Sequence, residues 1–299
     1  MTPRFHTQYV RDLYWALRSP MLMDHPRTVD PALRLREPDR YRGLLTKLDK
    51  PRSALDETLR RSDINGLGDY FEKLIRLWID EVPPATPIAA NWQVFDAGNT
   101  IGEFDLLFRR DATLWHWELA IKFYLGHPAP DGQFRWYGPD PSDRLDRKWA
   151  KMRGHQLRLH THPAARDALS ILNIDSSPIS RAFIKGYLFL PLFGEFDLDY
   201  PPDINADGLR GWWAHHRHIS ALEDSLDVPP DTHWLMLPPK RWMSPAFVTN
   251  DDELHTIETL PSTVAYHRPT LLAGLHRDDN GQWRELTRGF IVPDKWPYF

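Results

Sequence analysis

The chain has 299 residues, of which 41% are hydrophobic and 26% charged; this is the composition of a globular protein and excludes a fibrous or disordered one. Its formal net charge of −4 excludes a protein that coats nucleic acid without specificity, because such binding depends on neutralising many phosphates, but leaves room for a local basic patch. The absence of cysteine excludes disulfides, thiolate nucleophiles and zinc sites of the Cys type, so any metal would be held by carboxylates, carbonyls, His or water.

The first predicted elements are helices. Residues 1–60 show apolar positions at helical spacing between prolines and predict a helical extension. From Leu67 to Ile79 the apolar residues lie along one side, which predicts a longer helix. Glu72 borders that apolar stripe. It is either an exposed residue that pairs with Arg76 one turn later or a polar group directed at a site.

Three strands are predicted next. The first covers Asn91–Asp96, and a Gly98-Asn99 turn leads into a hairpin from Gly102 to Phe123, in which polar and apolar residues alternate with the period of a strand. We place the hairpin loop at Asp111-Ala112.

This loop sets the pairing of two acidic residues. Moving outward from it one residue at a time puts Asp105 directly opposite Glu118, with Cβ atoms about 5 Å apart. Two carboxylates in this position need a cation, a proton or a basic neighbour to neutralise them. One interpretation is a solvated face screened by Lys122 and Arg109; the other is a metal site.

A loop is predicted over Gly126–Pro141, followed by a helix over about Ser142–Thr161. The inward stripe of this helix contains one amide residue, Gln156, which needs a hydrogen-bond partner or a site to face. A basic stripe runs beside it. Such stripes are often only solvated, and this one consists of Arg144, Lys148, Lys151, His155 and Arg158.

In the remainder of the chain a buried strand is predicted over Phe183–Leu190, and a helix around Leu209–Ser225. Two further strands are predicted over His233–Leu237 and Arg288–Val292. No Walker loop, Gly-x-Ser-x-Gly or His-Glu-x-x-His motif is present.

The order αβββαβ, with Glu72 on the first helix, Asp105 and Glu118 on neighbouring strands and Gln156 on the second helix, resembles the PD-(D/E)XK nuclease superfamily. The resemblance implies an α/β fold with a restriction-endonuclease-like core, a mixed sheet flanked by helices, over residues 61–191. A helical extension at 1–60 and an α+β region at 192–299 would be added to it.

More narrowly, several runs look like the bacterial domain-of-unknown-function family 1853, which is placed in that superfamily. The runs are Trp117–Leu125, Gly138-Pro139, Asp143–Lys148, His155–Leu157 and Arg288–Pro293.

The resemblance implies a role for each site residue. Asp105 and Glu118 would bind Mg²⁺ or Mn²⁺ directly, Glu72 would reach the ion through water, and Lys122 would position or activate the attacking water. Gln156 resembles the glutamine that helps place substrate in RecB-like nucleases. The predicted nucleic-acid-binding residues are Arg144, Lys148, Lys151 and Arg158.

The lysine departs from the superfamily pattern. Glu118 and Lys122 are four residues apart, about 13 Å along an extended strand, whereas the superfamily places acid and lysine two apart. Lys122 could reach back, or a bulge could shorten the spacing. Alternatively Ala120 occupies the lysine position, and the function has moved to Lys148 or is lost. Phe104 also replaces the proline that names the motif.

From these features we predict a metal-dependent nuclease that acts on DNA or RNA. The alternative is a catalytically inactive nuclease-fold module that binds nucleic acid or partner proteins, and a carboxylate-pair glycosidase is a more remote third reading. No apolar run approaches the ~20 residues needed to cross a bilayer, and no signal-peptide pattern follows the first residues. We therefore expect a cytoplasmic protein without membrane association.

Overall fold

The computed structural model describes residues 5–30, 40–50, 53–61, 63–82, 84–129, 131–196, 198, 200–248 and 251–298. Parts of the predicted N-terminal extension, at 1–4, 31–39 and 51–52, lie outside the described residues. Over the described part of the chain, no helix is both long and apolar enough to span a bilayer.

Within the described residues, four helices precede the first strand, and the remaining helices lie between later strands. In order they are α1 (Gln8–Arg18), α2 (Arg42–Leu48), α3 (Ala54–Arg61), α4 (Leu67–Glu81), α5 (Leu145–Gly154), α6 (Pro163–Ile171), α7 (Leu222–Leu226) and α8 (Leu260–Thr263). Short 3₁₀ segments lie at Gln156–Thr161, His216–Ala221, Pro239–Arg241 and Asp251–Glu253.

The strands form one mixed ten-stranded sheet in the order β1-β2-β3-β5-β6-β10-β9-β7-β8, with β4 paired to β3. Its parallel pairs include β5–β6 and β6–β10. The strands are β1 (Ala85–Asp96), β2 (Asn99–Arg110), β3 (Thr113–Pro128), β4 (Phe134–Tyr137), β5 (Ile179–Pro191), β6 (Leu209–His215), β7 (His233–Leu237), β8 (Leu254–His255), β9 (Thr270–Arg277) and β10 (Trp283–Val292). The fold is therefore mixed α/β, with helices flanking the sheet.

The chain divides into two compact units. The first comprises Met1–Lys122, Arg147–Gly186 and Pro202–Gly208, and the second comprises Phe123–Asp146, Tyr187–Pro201 and Leu209–Phe299. Strands β3 and β5 contribute residues to both. The domain bounds that the sequence suggests at residues 60 and 191 stay a prediction.

Several predicted elements are confirmed. The helix predicted from Leu67 is α4, whose apolar stripe from Tyr70 to Ile79 is buried. The first predicted strand lies within β1, and the buried strand predicted from Phe183 lies within β5. The strand at His233–Leu237 is β7, and the last predicted strand is the end of β10.

Three predicted elements are wrong. The loop over Gly126–Pro141 contains β4, because its aromatic residues pair with the end of β3, from Leu125–Tyr137 to Pro128–Phe134. The single helix over Ser142–Thr161 ends at Gly154, since His155 leaves the helical region (φ −122°, ψ −63°) before a 3₁₀ segment begins. The helix around Leu209–Ser225 starts instead as β6, which runs parallel to β5 and β10.

The two-residue turns have the backbone that tight hairpins require. Ala97 and Gly98 both have positive φ (46° and 83°) between β1 and β2, and Asp111 has φ 55° between β2 and β3. Strand β1 is irregular, with Asn91 at φ 49° and register shifts at Pro87/Ala89 and Val94/Phe95.

Each unit contains a buried apolar cluster. In the first unit, Phe104 and Leu107 of β2 pack with Leu159 of the 3₁₀ segment and Leu169 of α6. In the second unit, Trp212, Trp234 and Leu272 belong to a cluster with residues of α7 and α8. The first cluster holds the 3₁₀ segment against β2, which positions Gln156 at its start.

Candidate active site

The β2–β3 hairpin has the predicted register. Its ladder runs from Arg110–Thr113 to Leu106–Trp117, so Asp105 and Glu118 are the next residues on each strand. Beyond that pair, the Oδ2 atom of Asp105 accepts a hydrogen bond from the backbone N–H of Leu119 at 2.8 Å. The even-length loop thus brings the two acids together, as the sequence predicts.

Asp105 and Glu118 form a buried acid pair, with 8% and 1% of their surfaces exposed. Burial and the charge of Glu118 raise the pKa of Asp105 to about 8, and burial raises the pKa of Glu118 to about 7. Two neighbouring buried carboxylates can both be ionised only if a cation offsets their charge. Without a cation, one of them keeps a proton. The Oε2 atom of Glu118 is buried without a hydrogen-bond partner.

Gln156 reaches the acid pair from the start of the 3₁₀ segment. Its Nε2 donates a hydrogen bond to Oε1 of Glu118, while its own Oε1 is buried without a partner. The amide that interrupts an apolar stripe in the sequence is therefore directed at the predicted site.

Glu72 approaches the same acids from α4. Burial is the main cause that raises its pKa to about 7, followed by the negative charges of Asp105 and Glu103. The side chain is half-buried. The sequence suggests Arg76 as the partner of Glu72. In the structure the positive charge of Arg76 affects Asp80, whose pKa is raised by burial and lowered by that charge. Glu72 is therefore part of the acidic group of the site, although the roles of these residues stay predictions.

A lysine on α5 lies near the acids. Burial lowers the pKa of Lys148 on α5, an effect opposed by the charges of Glu118 and Asp105 and reinforced by that of Lys122. Lys148 thus acts on the acid pair itself, and it opposes the raised pKa values of Glu118 and Glu72.

Lys122 is half-buried and is the last residue of the first segment of the first unit. Its backbone is closely packed: a Cβ on Gly186 of β5 would lie 1.6 Å from the Lys122 carbonyl oxygen, and Gly186 has φ +148°. Only glycine allows β5 to approach β3 this closely.

The other predicted nucleic-acid-binding residues have different surroundings. Lys151 and Arg158 are exposed in the first unit. Arg144, in the second unit, is engaged by Asp146, with 3.0 Å between its Nε and Oδ1. Of the three members in the first unit, Lys148 is the one whose charge acts on Glu118 and Glu72.

Sequence reasoning missed a histidine beside the acid pair. His116 is fully buried, and burial lowers its pKa to about 4. Its Nε2 lies 3.6 Å from Oε2 of Glu118, longer than a hydrogen bond, and both atoms lack hydrogen-bond partners. Its Nδ1 is 3.1 Å from Oγ of Ser180, which is also 3.1 Å from Nδ1 of His160. Strand parity could have identified His116, which precedes Glu118 by two residues on the same face; the sequence gives no signal for Ser180 or His160.

The donor set suits a hard cation held by few protein groups. Among the described residues, no group of three or more His, Asp or Glu side chains is arranged to hold a metal ion. Mg²⁺ commonly retains several waters and binds through one or two carboxylates. The acid pair, with the unpartnered Oε2 of Glu118, fits that mode of binding.

A cavity of about 880 Å³ in the first unit lies away from these acids. Its lining includes Trp115, Trp117, Arg110 and Arg181. Because the two tryptophans alternate with His116 and Glu118 along β3, the cavity opens on the other face of the strand.

The sequence matches one family over nearly its whole length. The family described as "Domain of unknown function (DUF1853)" matches residues 11–292. Neither the curated proteins nor the solved structures gave a significant match. The chain belongs to the DUF1853 family.

Proposed function

We propose that this protein is a metal-dependent nuclease of the PD-(D/E)XK type that hydrolyses phosphodiester bonds in DNA or RNA. The observation that carries the proposal is the buried acid pair with an unpartnered carboxylate oxygen, joined by Gln156 and Glu72. The element order α4-β1-β2-β3, then α5 and β5, contains the αβββαβ order of that superfamily with β4 and α6 added.

In this proposal Asp105 and Glu118 hold Mg²⁺ or Mn²⁺, and Glu72 contributes through water. The ion would acidify a bound water and offset the charge that grows on the phosphate. Gln156 holds Glu118 in place through its amide donor. Hydrolysis adds water to phosphorus and breaks the bond to the leaving oxygen, which takes up a proton.

Lys148 is the lysine whose surroundings best fit the reaction. Burial lowers its pKa while Glu118 and Asp105 attract its charge, and such a lysine can orient water or neutralise a phosphate. Lys122 lies four residues beyond Glu118. We therefore assign the function of the displaced superfamily lysine to Lys148, with Lys122 as the competing candidate.

The alternative is a catalytically inactive module that binds nucleic acid or a partner protein. It is favoured by the spacing of Glu118 and Lys122, which departs from the superfamily pattern. The exposed side chains of Lys151 and Arg158 would then contribute to binding only.

The deciding experiment has two parts. Thermal unfolding with and without Mg²⁺ or Mn²⁺ should show stabilisation of wild type that grows with concentration and reaches about 2.7 kcal/mol at 100 times Kd. Asp105→Ala should lose this response, whereas Asp175→Ala, which removes an exposed aspartate, should keep it.

Cleavage is then measured on single-stranded DNA, duplex DNA and RNA with each ion. Metal-dependent cutting by wild type and by Asp175→Ala, absent from Asp105→Ala, supports the nuclease. Binding without cutting, reduced by loss of Arg144, Lys148, Lys151 or Arg158, would favour the inactive module.

A further inference from the structure

Three side chains form a hydrogen-bonded chain, which runs from the half-buried His160 through Ser180 to His116 in the interior of the acidic site. All three side chains belong to the first unit. His116 and Ser180 are 0% and 6% exposed, whereas His160 is only partly covered. The ring of His116 is held by an edge-on contact with Phe104, with centroids 4.9 Å apart and planes at 89°.

The order Glu118, His116, Ser180 is that of a hydrolase triad, but Ser180 does not have the surroundings of a nucleophile. It is 94% covered, and its Oγ is shared between two imidazoles at 3.1 Å each. A nucleophile must be open to substrate. Ser180 is therefore a hydrogen-bond partner of the two imidazoles and not a nucleophile.

Hydrogen-bond accounting limits the arrangements of this chain when both rings are neutral. The hydroxyl of Ser180 donates one hydrogen bond and accepts up to two, so either one ring donates to its oxygen and the other accepts from it, or both rings donate to it. If both donate, Nε2 of His116 is bare, as it is in the first of the two arrangements that follow. In the first arrangement Nδ1–H of His116 donates, which leaves a bare Nε2 facing Oε2 of Glu118. In the second, His160 donates, Ser180 donates to Nδ1 of His116, and Nε2 of His116 carries the proton.

We propose that Ser180 and His160 fix the tautomer of His116 with its proton on Nε2, which makes His116 a positioning residue for Glu118. In that arrangement an N–H faces the unpartnered carboxylate oxygen 3.6 Å away. With Oε2 of Glu118 unprotonated, the first arrangement would set two lone pairs against each other in a buried site, where uncompensated polar groups are costly. The nitrogen that carries a histidine's proton is set by the hydrogen bond that the other nitrogen makes.

The tautomer is measured directly by long-range ¹H–¹⁵N correlation on metal-free wild type with ¹⁵N-labelled histidine, at pH 8.5, where Glu118 is ionised. Signals of His116 are assigned by their loss in His116→Gln. We expect a single protonated nitrogen, Nε2, on His116 and a protonated Nδ1 on His160. A proton on Nδ1 of His116, or on both of its nitrogens, would overturn the proposal.

Ser180 is then tested by a pair of substitutions. Ser180→Ala removes the hydroxyl and should let the Nδ1-protonated form of His116 appear, while Ser180→Thr keeps the hydroxyl and should retain the wild-type tautomer. An unchanged tautomer in folded Ser180→Ala would remove Ser180 from the proposal. The wild-type spectrum decides the tautomer even if the alanine variant does not fold.

The consequence for cation binding rests on the proposed function. If the acid pair binds Mn²⁺, Ser180→Ala should weaken the affinity for Mn²⁺ by about 10-fold, which is the lower end of the effect of removing residues that orient metal ligands. Ser180→Thr should keep the wild-type affinity. A wild type that does not bind Mn²⁺ would contradict the proposed function, whereas the tautomer measurement in metal-free protein would stand on its own.

Discussion

The carboxylate of Asp105 accepts a hydrogen bond from the backbone N–H of Leu119 at 2.8 Å. Asp105 is one residue, and Leu119 two residues, beyond the last ladder pair between β2 and β3. A side chain thus takes a donor from the neighbouring strand where the regular ladder has ended. This bond lowers the pKa of Asp105 in opposition to burial. Because the donor is a backbone group, the hydrogen bond holds the carboxylate of Asp105 beside Glu118 in a position set by the main chain of β3.

The acid pair should make metal-free protein less stable as pH rises. The pKa of Asp105 is raised from 3.8 to about 8 and that of Glu118 from 4.5 to about 7, so the folded state binds more protons than the unfolded state between pH 4 and 8. The contribution of these two groups to the free energy of unfolding is therefore greatest below pH 4 and is lost as the pH rises to 8. The contribution is ~1.4 kcal/mol for each unit by which a pKa is raised. Urea unfolding from pH 5 to 8.5 measures the slope.

Asp105→Asn should make this slope shallower, because the amide does not titrate, while the contribution of Glu118, whose pKa is raised by burial, remains. Asp175→Asn replaces an exposed aspartate and should leave the slope as in wild type. Equal slopes in wild type and Asp105→Asn would mean that the acid pair does not titrate as described.

The lysine that serves the reaction can be identified by comparing three variants. Lys148→Ala should abolish metal-dependent cleavage with little loss of Mg²⁺ binding, because Lys148 lies at the acid pair. Lys151→Ala, on the exposed face of the same helix, should weaken nucleic-acid binding modestly and leave the cleavage rate of bound substrate unchanged. Rates under saturating substrate separate these effects.

Lys122→Ala tests the competing assignment. If Lys122 is only a surface partner of an acid such as Glu103, its loss should cost at most ~1 kcal/mol of stability and leave cleavage intact. Loss of cleavage in Lys122→Ala, with Lys148→Ala still active, would return the function to Lys122.

Gln156→Ala should destabilise the metal-free protein by ~1–3 kcal/mol, because it removes a donor from the buried carboxylate of Glu118 and leaves that acceptor without a partner. Chemical unfolding provides the measurement. Gln93→Ala, which truncates an exposed glutamine on β1, should change stability by less than ~0.5 kcal/mol. Similar small effects for both would show that Gln156 is not needed to hold Glu118.

Gly186→Ala should destabilise the protein by more than ~3 kcal/mol or prevent folding. The new Cβ would meet the Lys122 carbonyl oxygen at 1.6 Å, in a backbone conformation that side chains rarely adopt. Gly68→Ala, in α4 with open space around it, should be neutral or up to ~1 kcal/mol more stable. Thermal unfolding of the two variants gives the comparison.

Local periodicity was sufficient for much of the fold and site. The loop at Asp111-Ala112 fixed the parity of Asp105 and Glu118, and the amide of Gln156 was identified because it interrupts an apolar stripe. These features depend on residues close in sequence, whose spacing decides which face they share.

The errors lie where tertiary pairing overrides local pattern. The residues Leu209–His215 look helical by spacing but form β6 because parallel partners exist on both sides. Phe134–Tyr137 becomes a strand only through β3. Lys148 was predicted to belong to a nucleic-acid-binding stripe. The pattern of one helix does not reveal which basic residue of such a stripe faces a buried acid on another element.

Strand β1 lies at one end of the sheet order, and its outer backbone groups could pair with a strand of another molecule. Pro87 has no N–H to offer, and the register shifts beside Pro87 and Val94 interrupt the regular pleat that a second strand would need. Phe95, which is 55% exposed, lies at one of these irregularities. The proline and the register shifts of β1 therefore disfavour aggregation through pairing of this edge strand with a strand of another molecule.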